Sequence, residues 1–376
     1  MKRLMPGWFH GRGRRALQFI AFNLAGLLLL LVLVEGAASW LVFVHRVRQA
    51  RPMARVGYTR HDDLLGWSSI PGASVPNLYG PGIGVTIGPQ GFRGPGDYAP
   101  EAPAGRVRIV CSGDSFTFGY GVADGDTWCH QLQARDARYE TLNLGQGGYG
   151  LDQAYLWYRR DALRFAHQVQ ILAFITVDFA RMGRDRFAGY PKPRLELAAG
   201  ELSVRNVPVP RRSDLAPWLA RNRSAIEGLF TVHVARKLFA GDTDPAPGRE
   251  VRPVVRRVLQ ELAQLHAQRR SQLILVYLPD GTSGSDKTLE WRRYLGSVAA
   301  EIEVSYLDLA GHFDALDPQQ RDGLFLGRGA LEYAEAAGHY TAAGNVLVAQ
   351  ALLDRLDKLP AVQDRLRAAA GATAER

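Results

Sequence analysis

The sequence predicts an α/β fold in which helices cover both faces of a parallel β-sheet. From residue 106 onward, short apolar segments alternate with segments of helical periodicity, which is the order expected of such a sheet. Segment 168–176 (QVQILAFIT) is mainly apolar, as in a strand buried on both faces. The predicted strands are residues 106–111, 140–144, 168–176, 272–278 and 303–308.

Helices are predicted between and after these strands, at residues 127–134, 151–165, 250–269, 289–300 and 341–356. Residues 184–249 break the alternation and are interpreted as an insertion. Segments 194–197 and 201–207 flank Ala-Ala-Gly, which indicates a hairpin, and a helical stretch follows around 218–239. We expect this insertion to cap the functional site, because loops at the carboxyl ends of strands carry substrate contacts in such sheets.

The first 45 residues predict a cytoplasmic stub and a transmembrane anchor. The formal net charge of +9 lies within residues 1–60, which hold ten Lys or Arg and the single acid Glu35. This excess flanks the apolar segment 16–34, long enough as a helix to cross a hydrocarbon core, so the basic residues suit lipid headgroups rather than nucleic acid. A signal peptide cleaved near residues 36–38 is the alternative.

The remaining chain divides into three parts. Residues 46–105 are rich in Gly and Pro and are interpreted as an irregular lead-in that packs on the α/β domain of residues 106–360, while residues 361–376 form a C-terminal tail. Cys111 and Cys129 are too few for a disulfide framework or a zinc site, and Cys111 is predicted to be a buried thiol. We expect no metal and no cofactor.

The segment after the first predicted strand carries a serine in a turn. Residues 113–119 are Gly-Asp-Ser-Phe-Thr-Phe-Gly, so Ser115 lies between a strand and a helix at the carboxyl edge of the sheet. The positive N-terminus of that helix would face an oxyanion formed there. Serine needs a neighbouring base to act as a nucleophile. A strand-end turn in which Asp114 or Ser115 caps the helix is the alternative.

A base for this serine is predicted near the C-terminus. His339 lies in a loop directly before the last apolar helix, where a histidine is more easily exposed than on an apolar helix face. The glycine-rich segment 143–150 follows the second predicted strand and therefore lies at the same edge of the sheet as Ser115. Its backbone N–H groups are candidates for an oxyanion hole, and a tight turn that simply needs glycine is the alternative.

These three segments, in this order, resemble the SGNH/GDSL hydrolase superfamily, which has a flavodoxin-like three-layer α/β/α fold. Residues 110–119 are similar to the nucleophile motif of that family. More narrowly, the chain resembles bacterial membrane-anchored members, through an apolar anchor followed by Glu35, Leu-Gly-Trp at 65–67 and Gly-Phe-Arg at 91–93. The resemblance spans most of residues 15–356.

The resemblance implies roles for individual residues. Ser115 would be the nucleophile and the first oxyanion donor, Gly148 the second oxyanion donor, and His339 the catalytic histidine. Two positions depart from the family pattern, because Val177 replaces an Asn and Ala336 replaces an Asp. Candidate supporting residues are Asp114, Asp178, Glu335 and, further back, Glu332.

The implied function is a membrane-anchored serine esterase that removes an O-acyl group, acetyl in the first instance, from a glycan or lipid ester of the cell envelope. An O-acetyltransferase domain in polysaccharide modification is one alternative, because the same chemistry works with a sugar hydroxyl in place of water. A catalytically degenerate domain that only binds a glycan or a partner protein is another, motivated by Val177 and Ala336. The expected location is the inner membrane, crossed once, with the α/β domain in the periplasm.

Overall fold

The structure is a computed structural model, and it describes residues 9–49, 57–211, 229–239, 247–281 and 286–374. The helices are α1 (Phe9–Gln49), α2 (Ser115–Phe118), α3 (Trp128–Arg135), α4 (Leu151–Arg160), α5 (Thr176–Met182), α6 (Phe230–Phe239), α7 (Pro247–Arg269), α8 (Asp286–Glu301), α9 (Ala310–Asp314), α10 (Pro318–Asp322), α11 (Ala342–Asp357) and α12 (Pro360–Ala374). The strands are β1 (Thr59–Asp62), β2 (Gly66–Ser69), β3 (Ser74–Gly80), β4 (Ile83–Thr86), β5 (Val107–Gly113), β6 (Tyr139–Gly145), β7 (Val169–Phe174), β8 (Arg186–Phe187), β9 (Tyr190–Pro191), β10 (Arg194–Ala198), β11 (Glu201–Arg205), β12 (Gln272–Tyr277) and β13 (Ser305–Asp308).

A five-stranded parallel sheet forms the centre of the larger of two compact units, residues 52–212 with 246–376. Its strand order is β13-β12-β7-β5-β6, and every neighbouring pair is parallel. Numbered along the chain, this is the 2-1-3-4-5 order of flavodoxin-like folds, in which the chain direction reverses between the first and third strands. The predicted α/β class is therefore confirmed, and β5 and β7 meet at the switch point of the sheet.

Alternating residues of the strands contribute to two separate cores, which makes the unit a three-layer α/β/α structure. Val110, Leu172 and Leu275 pack on one face with helices α4, α7 and α8. Ile109 and Ile171 pack on the other face with α3, α11 and α12. All five strand residues are at most 1% exposed, as expected of a parallel sheet covered on both sides.

Two segments are more ordered than the sequence suggested. The predicted irregular lead-in contains two antiparallel hairpins, β1–β2 and β3–β4, whose strands are too short to produce a clear period in the sequence. The predicted tail is mostly helix α12, which packs Val362 and Leu366, one helical turn apart, into the second core. The predicted hairpin of the insertion is present as β10–β11. Of the helical stretch predicted at 218–239, residues 218–228 lie outside the described residues.

The smaller unit comprises residues 1–51 and 213–245, of which helices α1 and α6 are described. Within α1, Arg14–Val44 is long and apolar enough to cross a membrane, a property that a signal sequence near the N-terminus shares. The first turn of α6 is capped by α1: the carboxylate of Glu35 accepts the N–H of Thr231 at 3.1 Å, and Oγ of Ser39 accepts that of Phe230 at 3.0 Å. Glu35 thus has a structural partner in the insertion.

Candidate active site

The serine turn is formed by the end of β5 and the single turn of helix α2. Asp114 is the N-cap of this turn, and its Oδ1 accepts the N–H of Phe116 at 2.8 Å. Ser115 is the first helical residue and is 4% exposed. Gly113 is required before it, because a Cβ at that position would lie 2.6 Å from the carbonyl oxygen of Ala173. The turn therefore holds Ser115 at the carboxyl end of β5.

His339 and Ser115 meet at this edge although 224 positions separate them. Nε2 of His339 lies 2.7 Å from Oγ of Ser115, and Nδ1 lies 3.2 Å from the carbonyl oxygen of Ala336. Because a carbonyl oxygen can only accept a hydrogen bond, Nδ1 carries the hydrogen. Nε2 is therefore free to accept a hydrogen bond from the Ser115 hydroxyl. This is the tautomer that a general base needs.

The surroundings of His339 favour the neutral form of its ring. Burial lowers the pKa of His339 below its ordinary value, while the charge of Asp114 and the Ala336 carbonyl act in the opposite direction. The rings of Phe116 and Tyr120 flank the imidazole, with centroids 4.5 and 5.2 Å away. A neutral imidazole near neutral pH can take a proton from a hydroxyl group.

The position of the missing carboxylate is occupied by a backbone group. Ala336 is 1% exposed, and its carbonyl orients the His339 ring where the family pattern has an aspartate side chain. Glu335, a candidate for this role, is exposed, and so is Glu332. In the described part of the chain, neither makes a hydrogen bond to His339. The pair is therefore a Ser–His dyad with a carbonyl as its third group.

The glycine-rich segment joins the serine turn through Asn143, the residue of β6 opposite Cys111. Its side-chain amide donates to the carbonyl of Thr117 at 2.9 Å, and its Oδ1 accepts the N–H of Gly145 at 2.9 Å. Gly148 has φ +77°, a left-handed conformation that favours glycine. Within the described residues, no group accepts the N–H of Gly148 or that of Ser115. Unpaired N–H groups beside a nucleophile are what an oxyanion hole requires.

Gly145, Gly147 and Gly150 also have the G-x-G-x-x-G spacing of dinucleotide-binding turns. The space above them, however, is filled by side chains of this chain. A Cβ on Gly147 would lie 1.7 Å from the Tyr120 hydroxyl, and one on Gly148 would lie 2.5 Å from the Phe187 ring. A pyrophosphate needs that space for close backbone approach. The geometry therefore favours the oxyanion-hole interpretation.

The third segment of the site is the first turn of α5, directly after the central strand β7. Val177 is 43% exposed and offers no hydrogen-bond donor where the family pattern has an Asn. Asp178 is buried, and its carboxyl group accepts the N–H of Ile175 at 3.0 Å. Burial and the negative charge of Asp114 raise the pKa of Asp178 well above its usual range. Asp178 thus caps α5, and no described contact joins it to His339.

Arg181 is a site residue that the sequence reasoning missed. Its Nη1 donates to Oδ1 of Asp178 at 2.7 Å, to the carbonyl of Tyr149 at 2.8 Å and to Oδ2 of Asp114 at 3.3 Å. A signal was present in the sequence, because a basic residue three positions after an acidic one on a helix commonly pairs with it. The contacts to the other two segments depend on the folded arrangement.

The Leu-Gly-Trp element of the lead-in supports the glycine-rich segment from outside. Nε1 of Trp67 donates to the carbonyl of Gly147 at 2.9 Å, and the hydroxyl of Tyr149 donates back to the carbonyl of Trp67 at 2.5 Å. The amide of Gln153 in α4 donates to the carbonyl of Leu65 at 2.8 Å. The lead-in therefore positions the backbone on both sides of Gly148.

The start of the insertion borders the same segment. Phe187 of β8 packs over Gly148, and the guanidinium of Arg181 lies 5.0 Å from the centre of its ring. Lys192, after β9, places its ammonium group 2.5 Å from Oδ2 of Asp152, and both side chains are fully buried. Asp152 is the second residue of α4, so this ion pair fastens the insertion to the helix that follows the glycine-rich segment.

The expectation of a free buried thiol at Cys111 is wrong. Cys111 of β5 and Cys129 of α3 form a disulfide bond with their Cα atoms 6.1 Å apart. The two residues are 18 positions apart, and the serine turn lies between them. The bond therefore closes the loop that carries Ser115.

No protein-family model matches this chain, and no curated protein matches it. Among solved structures, it is similar to a member of the lipolytic G-D-S-L family from Veillonella parvula, with 15% identity, a TM-score of 0.38, and coverage of 67% of this chain and 100% of that one. It is also similar to a lipase/acylhydrolase from Enterococcus faecalis, with 13% identity, a TM-score of 0.38, and coverage of 66% of this chain and 95% of that one. A third similar structure is an acetyl xylan esterase, with 15% identity, a TM-score of 0.39, and coverage of 66% of this chain and 99% of that one. At these identities and TM-scores, the function of this chain has to be inferred from its own site.

Proposed function

We propose that this chain is a membrane-anchored serine ester hydrolase of the SGNH type. It removes a small O-acyl group, acetyl in the first instance, from a glycan or lipid ester of the cell envelope. One observation carries the proposal: the 2.7 Å contact between Oγ of Ser115 and Nε2 of His339, formed beside backbone N–H groups that have no acceptor among the described residues.

The proposed reaction has two steps. Oγ of Ser115 attacks the ester carbonyl carbon while Nε2 of His339 takes the hydroxyl proton, and the N–H groups of Ser115 and Gly148 donate to the oxyanion. His339 then gives the proton to the departing alcohol oxygen, which leaves the acyl group on Ser115. In the second step, a water molecule loses a proton to the same nitrogen and attacks the acyl carbon. The bond from the acyl carbon to Oγ of Ser115 then breaks, Oγ takes the proton from His339, and the acyl group leaves as the acid. The bond from Nδ1 to the Ala336 carbonyl keeps the ring oriented throughout.

Three aromatic side chains favour a short acyl group. The Tyr120 hydroxyl lies against Gly147, the Phe187 ring lies over Gly148, and the centroid of Phe116 is 4.5 Å from that of the imidazole. Aromatic side chains thus lie beside both the dyad and the glycine-rich segment. We therefore infer a preference for acetyl over longer acyl esters.

Two features support a location of the catalytic domain outside the cytoplasm. Arg14–Val44 of α1 can cross a membrane, and a membrane-anchored envelope enzyme needs such a helix. The Cys111–Cys129 bond points the same way, because structural disulfides form and persist in oxidising compartments. We infer a single-pass inner-membrane protein with its α/β domain in the periplasm.

The location can be tested through the two cysteines. Cells are lysed in acid to trap thiols, and the denatured full chain is treated with a thiol-reactive polyethylene glycol before and after reduction. We expect no mass increase before reduction and addition of two groups after it. Modification of both cysteines before reduction would contradict a periplasmic domain.

The activity is tested with the full chain in detergent micelles and p-nitrophenyl acetate as substrate. We expect hydrolysis that S115A lowers by at least about 10³-fold, because loss of a nucleophile removes covalent catalysis. The matched control is S297A, which removes an exposed hydroxyl that bonds the Tyr294 carbonyl. Equal rates for the wild type and S115A would refute the proposal and favour a domain that only binds.

The same assay separates the hydrolase from its transferase alternative. Butyrate and octanoate esters should be hydrolysed more slowly than acetate if the aromatic side chains restrict the acyl group. With a labelled acetyl donor and an added oligosaccharide, the label should appear mainly as free acetate. Label that accumulates mainly on the oligosaccharide would instead identify an O-acetyltransferase.

A further inference from the structure

Arg181 connects the three segments that form the site. It lies one helical turn after Val177 in α5, so the two residues share a face of that helix. From there its guanidinium reaches Asp114, which caps the serine turn, and the carbonyl of Tyr149, which follows Gly148. The side chain is 12% exposed, and its Nε is buried without a partner in the described residues.

The guanidinium is held firmly at this point. Nη1 is 2.7 Å from Oδ1 of Asp178, and the Phe187 ring covers the group at 5.0 Å. Burial and the charge of Asp114 raise the pKa of Asp178 well above its usual range, while the charge of Arg181 acts in the opposite direction. These contacts fix Arg181 between the serine turn and the glycine-rich segment.

We propose that Arg181 is a positioning residue for ester hydrolysis, which ties the segment carrying Ser115 to the segment carrying Gly148 and so sets the separation of the two oxyanion donors. This inference rests on the proposed function.

The need for such a residue follows from Val177. With no side-chain donor at that position, the oxyanion hole consists of two backbone N–H groups on two different segments. Oxyanion donors act at about 2.7–3.1 Å, so a small shift of one segment removes much of the stabilisation. Arg181 is a direct side-chain link between the cap of the serine turn and the residue after Gly148.

The test compares R181Q and R181K with the wild type, again using the full chain in micelles and p-nitrophenyl acetate. We expect R181Q to lower kcat by about 10²-fold with KM changed by less than about threefold, because an interaction made only in the transition state changes kcat rather than KM. R181K should retain more activity, since an ammonium group can still bond one of the acceptors. The control is R135Q, which removes an exposed arginine whose side chain bonds Gln131.

Two measurements separate positioning from a general loss of structure. Rates are expressed per reactive serine, counted by complete labelling with a fluorophosphonate, so that unfolded protein does not contribute. The pH profile of kcat/KM is also recorded. Because the charge of Arg181 lowers the pKa of His339, the acidic limb should move to higher pH in R181Q, whereas partial unfolding would leave it unmoved.

The outcomes are distinguishable. If the wild type is no faster than S115A, the proposed function fails and this inference fails with it. If the wild type is active and R181Q matches it per reactive serine, the positioning role is wrong while the hydrolase stands. If R181Q does not fold, R181K decides: one ammonium group cannot bond both segments, so kcat per reactive serine below wild type supports the inference and wild-type kcat overturns it. Lower kcat, unchanged KM and a moved limb support it.

Discussion

Two serine–histidine contacts lie at opposite ends of the same sheet. At the carboxyl end, Nε2 of His339 is 2.7 Å from Oγ of Ser115. At the amino end, Nδ1 of His266 is also 2.7 Å from Oγ of Ser271, directly before β12. Both serines are less than 9% exposed. The distance between hydroxyl and imidazole therefore does not distinguish a catalytic pair from a structural one.

The difference lies in the groups around each pair. At the amino end, Nε2 of His266 contacts Oε1 of Gln170 at 2.7 Å and the Tyr158 hydroxyl at 3.1 Å, so both ring nitrogens are satisfied by side chains. At the carboxyl end, the N–H groups of Ser115 and Gly148 have no acceptor in the described residues. A cluster whose polar groups all bond one another stabilises the fold. A cluster with unpaired N–H donors can instead donate to a bound substrate.

The largest expected effect comes from removing each histidine in turn. H339A should lower kcat for p-nitrophenyl acetate by about 10⁴-fold, because the base is lost. H266Q should keep kcat per folded molecule but reduce the free energy of unfolding by about 1–3 kcal/mol, because a buried hydrogen-bond network is broken. Steady-state kinetics and thermal unfolding measure the two quantities. A large loss of kcat in H266Q with unchanged stability would reverse the comparison.

A second prediction adds a donor to the carboxyl end. V177N supplies the side-chain amide that the family pattern has at this position, and we expect kcat to rise by about 10- to 100-fold, since one oxyanion donor contributes about 10²–10³. Val177 is 43% exposed, so stability should hardly change. The control is V204N, at a 38% exposed valine of β11. An unchanged or lower kcat would mean that this position does not face the oxyanion.

A third, smaller effect is expected at the lead-in. W67F removes the hydrogen bond to the Gly147 carbonyl, and kcat should fall by about five- to tenfold because such a bond contributes about 1 kcal/mol. W128F is the matched control, since Trp128 is fully buried and its Nε1 has no partner among the described residues. Similar losses of kcat in both variants would show that packing, rather than the bond, matters.

The parts of the molecule that could be predicted from sequence are those encoded in contiguous residues. Strands β5, β7 and β12 are short apolar segments, so their parallel arrangement follows from the pattern. Ser115 and His339 each lie in a recognisable local motif. Helix α12 was missed because its apolar face is narrow, with Val362 and Leu366 as its core residues.

The parts that could not be predicted depend on contacts between distant segments or on the backbone. The Ala336 carbonyl orients His339, and no side-chain pattern can name it, because every residue carries a carbonyl group. The pairing of Cys111 with Cys129 requires a Cα separation that only the fold reveals. Arg181 bonds groups in two other segments, and the fold brings these segments next to α5. Its role therefore cannot be predicted from the sequence of α5 alone.

The smallest expected effect is the response of the amino end to pH. Burial lowers the pKa of His266 to about 3 and that of its neighbour His167 to about 4, and the charge of Arg269 acts in the same direction. In the unfolded chain both titrate near about 6.5, so below that pH the unfolded state binds more protons than the folded state. The contribution of these two neutral histidines to the free energy of unfolding is therefore fully present above about pH 6.5 and is lost as the pH falls towards about 4.

The melting temperature followed by circular dichroism tests this prediction. Between about pH 7 and about pH 4.5 the wild type should lose more thermal stability than H266Q, which has one of the two buried histidines removed. Equal losses would mean that other groups dominate acid unfolding. His339 gives the complementary measurement: burial lowers its pKa too, so the acidic limb of kcat/KM should lie below about pH 6.5 in protein that is still folded. A limb above that value would mean that the charge of Asp114 outweighs burial at His339, and the pKa values of the histidines at the two ends would then shift in opposite directions.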